Sequence, residues 1–519
     1  MPSSIRKSAP GEKTQNERLP CHTASKKTIS ISLDGVPAKT LFELIDSGRM
    51  PNVRDYFAKD KSLTIRNAIS TFPSLTTSAH TALMTGLPVN ESDITGLKWY
   101  DRLRDEFVNS KSPIIGLKFK KYVKGKTIFE NERNSLVYGE FIHKGARRWV
   151  FPAYNPFLGK TSPLGPIVES RILERIPTKL NKYDLVHIWW YSSDQVGHHK
   201  GKEYLKKNLE TFDKSFGKMV KKIDPAQTTV AIYADHGMRN VNNREIELVG
   251  TMAKAGYRPA KNHKIKENNE LIFTFDETSF SQIYAKSDSE TGKIVDTISS
   301  GKLPGIDFIM YRDYDGGYGE GISGINVLKQ RTTGKLERAK ILSDGKNHLL
   351  KYVPVDGGDP LDLAKIVINQ KKKPKLGTAD EGWASGDEWL SKTYNARYPD
   401  AVERIAQLFG SRNAGNVVLT SQKNYYFSES TQDYSVFSGY ETDDEKEARV
   451  SMAVKKMTHG SLEGENMRTA ILARGPYIKP EIREYGRIEE VYGILSDAAR
   501  GTTRPYRTKT DRSASSQKR

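Results

Sequence analysis

Three stretches of the chain share one pattern, a short β-rich run that breaks off at polar, mostly acidic residues. "TISISLD" (28–34) alternates polar and apolar positions and stops at Asp34-Gly35. "DLVHIWWYSSD" (184–194) is almost continuously apolar before Asp194, and "TTVAIYADHG" (228–237) breaks at Asp235-His236. Such runs fit buried strands of a parallel sheet whose carboxyl ends emerge at one shared edge. Between them, apolar residues recur at helical spacing through 38–57, and 201–223 is amphipathic. Strand and helix alternation predicts an α/β fold around a central sheet, with ligands beyond the carboxyl ends of its strands.

The rhythm changes between 241 and 395. "RAKILSDGKNHLLKYV" reads as a hairpin with Asp344-Gly345 at its turn. "DYDGGYGEG" (313–321) is a Gly-rich turn that matches neither phosphate-binding pattern. Helix, loop and strand return in 398–421, and a last strand is expected at "TAILARGP" (469–476). The expected organisation is a basic tail (1–27), an α/β core (28–240), an inserted α+β cap (241–395), the rest of the core (396–499) and a second basic tail (500–519).

Composition narrows the function. The 519 residues are 36% hydrophobic and 28% charged, and they contain no apolar run of the roughly 18 residues a membrane span needs. The first 27 residues lack the apolar centre of a signal peptide, which reads as a cytoplasmic chain. Cys21 is the only cysteine, which excludes an internal disulfide and any multi-cysteine metal cage. The net charge of +19 would suggest a polyanionic partner, but more than half of it lies in the tails. Residues 1–27 carry six Lys/Arg against two Glu, and 500–519 carry seven against one Asp. With "KKKPK" (371–375) as a basic surface loop, the distribution argues against specific nucleic-acid binding.

Each polar strand end has a plain structural explanation as a turn former, a cap or a core histidine. Jointly, Asp34, Asp194, His198, Asp235, His236 and the isolated His459 in "THGSL" supply the chemistry for two divalent metals. Carboxylate and imidazole ligands without cysteine suit zinc, with manganese also compatible. Two such ions can clamp the attacking and leaving oxygens of a phosphoryl displacement. One of them would also acidify a coordinated hydroxyl, so that a threonine attacks without a histidine base. "TFPSLTTSAHTALMTGLP" (71–88) offers Thr71, Ser74, Thr76 and Thr77 for that role.

The ordered set Asp34, "TFPSLTTSAHTALMTG", "DQVGH", "ADHGM" and "THGS" resembles the alkaline phosphatase superfamily. More narrowly, it is similar to the type I phosphodiesterase/nucleotide pyrophosphatase group and its phosphonoacetate hydrolase relatives. The resemblance implies a central, mostly parallel sheet flanked by helices, and leaves the cap unmatched. It implies that Asp34, Asp235 and His236 bind one metal together with the nucleophile, and that Asp194, His198 and His459 bind the other. Relatives place the nucleophile nine residues before the threonine of a later "TG", here Thr85-Gly86, which selects Thr76. The position before "FP", used in other relatives, would select Thr71.

The implied reaction is two-metal hydrolysis of a small phosphodiester or pyrophosphate, nucleotides for instance, through a phosphothreonine. Phosphonate C–P hydrolysis and phosphomonoester hydrolysis are the enzymatic alternatives, and an anion-binding protein without turnover is the non-enzymatic one. Relatives of this group are often exported, in contrast to the leaderless start. One departure stands out: "NESDITGLKWYDR" (90–102) places Leu97 where many relatives have an Asn whose amide supports a phosphoryl oxygen. Leucine donates no hydrogen bond, and Lys98 is the adjacent cation.

Overall fold

The computed structural model describes residues 27–502 except 59, 111–118, 133, 152–164, 242–243, 277–278, 302, 315–320, 332, 367–381 and 428–454. Both expected tails (apart from their few innermost residues), Cys21, the basic stretch 371–375 and most of the Gly-rich turn lie outside the described residues.

The core is an eight-stranded sheet. Its strands are β1 (Lys27–Leu33), β2 (Leu63–Ile69), β3 (Ser135–Tyr138), β4 (Arg148–Val150), β5 (Leu185–Trp190), β6 (Thr228–Ala234), β7 (Arg468–Arg474) and β8 (Glu481–Arg487). Their order is β8-β2-β7-β6-β1-β5-β3-β4. All neighbours run parallel except those of β7, which is antiparallel to both β2 and β6. Helices α1 (Ala38–Asp46), α3 (Gly165–Lys179) and α5 (Lys202–Val220) cover one face. Helices α2 (Thr76–Thr85) and α7 (Glu490–Arg500) cover the other. The fold is thus the expected α/β sheet, mostly parallel and flanked by helices.

The alternation in β1 has two buried faces. Ile29, Ile31 and Leu33 pack under α1, while Ser30 and Ser32 are equally buried on the opposite side. Ser30 Oγ bonds the Tyr233 hydroxyl at 2.7 Å and His187 Nδ1 at 3.0 Å, so these polar positions serve an interior network rather than solvent. The helical pattern through 38–57 is interrupted at Gly48, which takes a φ of +76°, and a second short helix spans Pro51–Tyr56.

A nine-stranded second sheet is built largely from 258–385, including the expected hairpin of Leu336–Asp344 with Leu349–Val355. It does not stop at 395. The strand Val417–Ser421, read from sequence as part of the core, lies inside the second sheet, antiparallel to Phe280–Tyr284 and Ile306–Asp313. Helix α6 (Ala401–Gly410) buries Val402, Ile405 and Leu408 in the same apolar cluster as Val418 and Ile341. A short, wholly buried apolar run carries no mark of which sheet it joins; antiparallel pairing decides it here. Ion pairs, most of them buried, tie the sheets together: Arg404 donates to the Ile69 carbonyl at 2.8 Å and pairs with Glu489, and Arg487 pairs with Asp400 and with the half-exposed Asp387. Among the described residues no helix is long and apolar enough to cross a membrane.

Candidate metal centre and its hydroxyl

The carboxyl ends of β1, β5 and β6 converge, and every expected site residue reaches that edge. Asp34 follows β1, and Asp235-His236 follow β6. Asp194 and His198 do not sit at the end of β5 itself. They lie one turn apart on helix α4 (Ser192–Lys200), which starts just beyond it. Four-residue spacing puts both side chains on one helix face. His459 arrives after the short strand Met457–Thr458. All six are nearly or fully buried, from 0% exposure at Asp34, Asp235 and His236 to 6% at Asp194.

Two groups of possible ligand atoms each lie within 4.8 Å of one another: Asp34, Asp235 and His236, and Asp194, His236 and His459. His236 therefore stands between the two halves. Its Nε2 is 3.5 Å from Asp34 Oδ1 and 3.2 Å from Asp235 Oδ2, and its ring stacks on His459 at 3.7 Å. His198 belongs to the Asp194 side, with Nε2 3.2 Å from Asp194 Oδ1; His459 Nε2 is 3.6 Å from the same oxygen.

The backbone sets the tautomer of all three histidines. Nδ1 faces the Met457 carbonyl in His198 (2.7 Å), the Gly237 carbonyl in His236 (3.1 Å) and the Ser74 carbonyl in His459 (2.9 Å). A carbonyl only accepts, so each Nδ1 carries a proton and each Nε2 is the ring nitrogen turned toward the site. Three oriented imidazoles with three buried carboxylates are donors that suit a divalent cation. Gly35 permits the close approach of the halves. Its φ is +67°, its N–H donates to Asp235 Oδ1, and a Cβ there would stand 2.8 Å from Asp194 Oδ1.

The four candidate hydroxyls separate cleanly. Thr71, Ser74 and Thr77 are buried, and each donates to a carbonyl, those of Pro73, Ser461 and Gly96 respectively. Thr76 is half-buried, and its Oγ1 lies 3.2 Å from His236 Nε2. It is the first residue of α2, where the leading amide N–H groups lack helical partners and favour an anion.

Comparison with known proteins bears on the family and the fold. The family model for type I phosphodiesterase/nucleotide pyrophosphatase matches residues 28–313, more than half of the chain. The chain belongs to this family. Among solved structures it is similar to the murine and human ectonucleotide pyrophosphatase/phosphodiesterase 5. Each has a TM-score of 0.52 at 13% identity, over 94% and 93% of this chain and 98% and 96% of theirs. The murine protein has also been solved as an inactive threonine-to-alanine variant in complex with AMP. A 2,3-bisphosphoglycerate-independent phosphoglycerate mutase of Clostridium botulinum is 40% identical over 70 residues, 14% of this chain. The chain's match spans 13% of the length of that curated relative.

Against the family pattern, Leu97 is explained by what surrounds it. Its side chain is buried in the apolar cluster of Phe72, Leu75 and Phe280, and its N–H, like that of Lys98, donates to Asp276 Oδ2. Neither the side chain nor the amide of Leu97 is offered to a phosphoryl oxygen.

Three buried residues beneath Asp235 carry no readable signal in the sequence. His80 Nδ1 is 2.5 Å from Glu140 Oε2, and its Nε2 is 3.4 Å from Asp235 Oδ2. His187 approaches the same Glu140 oxygen at 3.5 Å. Burial would lower the His80 imidazolium, yet Glu140 and Asp235 outweigh it and lift it to about 10. Burial would raise Glu140, but His80 and His187 pull it down to about 2. Glu169 is different. It accepts the N–H groups of Tyr191 and Ser192 and the Ser192 hydroxyl at the start of α4, yet burial still pushes it up to about 8.

Proposed function

We propose that this protein is a metal-dependent hydrolase of phosphodiester or pyrophosphate bonds in small nucleotide-like molecules, with Thr76 as nucleophile. The observation that carries the reading is Thr76 Oγ1. It is the half-buried hydroxyl of the motif, 3.2 Å from His236 at the N-terminus of α2, while its three rivals are buried and donate to backbone carbonyls. Asp34, Asp235, His236 and Thr76 would hold one divalent ion, and Asp194, His198 and His459 a second, with zinc the best match to the donors. Bound there, the ions would supply Lewis acidity that acidifies the hydroxyl and neutralises phosphoryl charge.

Thr76 Oγ forms the bond to phosphorus as the bond to the leaving oxygen breaks, giving a phosphothreonine; the Thr76 proton passes to solvent. Water then cleaves the phosphothreonine and restores the hydroxyl. The leading amides of α2 hold an equatorial phosphoryl oxygen, a role that Leu97 does not fill. The AMP held by the murine relative, inactive without its threonine, supports both the substrate class and the nucleophile type.

The test is turnover of bis-p-nitrophenyl phosphate beside p-nitrophenyl phosphate with added zinc. Diester turnover above monoester turnover, lost on chelation and lost in Thr76→Ala, is the expected result. An unreactive zinc-loaded wild type overturns the phosphodiesterase reading, and full activity in Thr76→Ala overturns the assignment of the nucleophile.

A further inference from the structure

We propose that His80 and Glu140 are positioning residues that lock Asp235, and through it the half of the centre formed with Asp34 and His236, onto the helix that carries Thr76. The inference rests on the metal reading above.

Asp235 has two oxygens with different duties. Oδ1 accepts two amide N–H groups, from Gly35 at 3.1 Å and His236 at 2.8 Å, which fixes one end of the carboxylate. Oδ2 is the atom near His236 Nε2, and behind it stands His80 Nε2. His80 has little freedom to tilt. Glu140 holds its other nitrogen, and the rings of Trp189 and Phe141 lie 5.0 and 5.4 Å away. Glu140 is fixed in turn by the Ile142 N–H, which donates to Oε1 at 2.9 Å. Glu140, His80 and Asp235 are all 0% exposed, so water does not substitute for a lost member. A carboxylate behind a histidine behind a metal-facing carboxylate is an outer layer of the kind that orients ligands and tunes affinity.

The chain of contacts also links three elements. Glu140 lies just past β3, Asp235 just past β6, and His80 on α2 between them. His80 is four residues beyond Thr76 and therefore on the same helix face. The contact that fixes Asp235 thereby sets the rotation and depth of α2, and with them the approach of Thr76 Oγ1 to His236. One pair positions the ligand and the nucleophile together.

The experiment measures zinc binding by competition with a chromophoric chelator, and the visible absorption of the cobalt-substituted protein. It compares wild type, Glu140→Gln, His80→Gln, His80→Ala and Asp235→Asn. The expected result is a 10- to 100-fold weaker affinity at one of two sites in Glu140→Gln and His80→Ala, with the other site unchanged. The cobalt spectrum shifts accordingly, and His80→Gln, which keeps one donor toward Asp235, lies between wild type and His80→Ala. Glu140→Gln is nearly isosteric and keeps the readout available where His80→Ala fails to fold. Wild-type affinity and spectrum in both Glu140→Gln and His80→Gln, beside loss in Asp235→Asn, overturn this inference and leave the metal reading standing. Absence of stoichiometric metal in wild type overturns the metal reading itself.

Discussion

The two halves of the centre are supported in opposite ways. Under Asp34, Asp235 and His236 lies a charged layer: Glu140, kept ionised down to about pH 2, faces His80, lifted to about 10. Under Asp194 and His198 lies Glu169, surrounded by amide and hydroxyl donors yet pushed up to about 8. The two glutamates are equally buried. What separates them is a facing cation: Glu140 has one, and Glu169 has only dipoles, which do not repay the loss of water. The first half is therefore braced by an ion pair that is costly to break. The second is a helix end held by hydrogen bonds and lies closer to solvent.

The largest effect that tests this contrast is on the metal-free protein. Asp235→Asn removes the charge that faces His80 Nε2 in a sealed interior and should cost about 3–5 kcal/mol in urea denaturation. Asp194→Asn, at the rim with imidazole partners, should cost only about 1–3 kcal/mol. Equal losses would erase the distinction. Gly35→Ala probes the point where the halves touch. Its positive φ and the Cβ position 2.8 Å from Asp194 Oδ1 predict a cost of roughly 1–2 kcal/mol together with weaker metal binding at both positions.

A further effect is a slope with pH. Glu169 stays protonated in the folded protein up to about pH 8, while the unfolded side chain ionises near its ordinary 4.5. The folded state thus holds the extra proton between those values, and stability falls as pH rises from 4.5 to 8. Glu169→Gln should flatten that fall in a pH series of denaturation midpoints. An unchanged slope would place the pH response elsewhere.

Much of this was legible in the chain. The strand-to-acid breaks at Asp34 and Asp235 place residues at one edge because parallel strands end together, whereas Asp194, which reads as a strand end, lies with His198 on a helix just beyond it. Choosing among Thr71, Ser74, Thr76 and Thr77 required knowing which hydroxyls donate to carbonyls, a property of the folded loop. His80 lies within the 71–88 stretch, where nothing local sets it apart. Its partner Glu140 is 60 positions away, and no local pattern joins them. Leu97 is legible as a departure from relatives, while its surroundings, the apolar cluster of Phe72, Leu75 and Phe280, are not. Val417–Ser421 reads as a strand, but its sheet is not legible, since apolar runs specify burial and leave the partner open.

The order in which the chain lays down these parts has a consequence for its synthesis. Asp34, Thr76, Asp194, His198, Asp235 and His236 all precede the bulk of the second sheet, whereas His459 follows it. Strand β7, later still, fills the slot between β2 and β6 in the middle of the core. A nascent chain emerging from the ribosome therefore carries six of the seven site residues around a sheet with a missing central plank. The proposed centre is thus completed late: a chain stalled before the last hundred residues lacks both His459 and the strand that closes the middle of the core sheet.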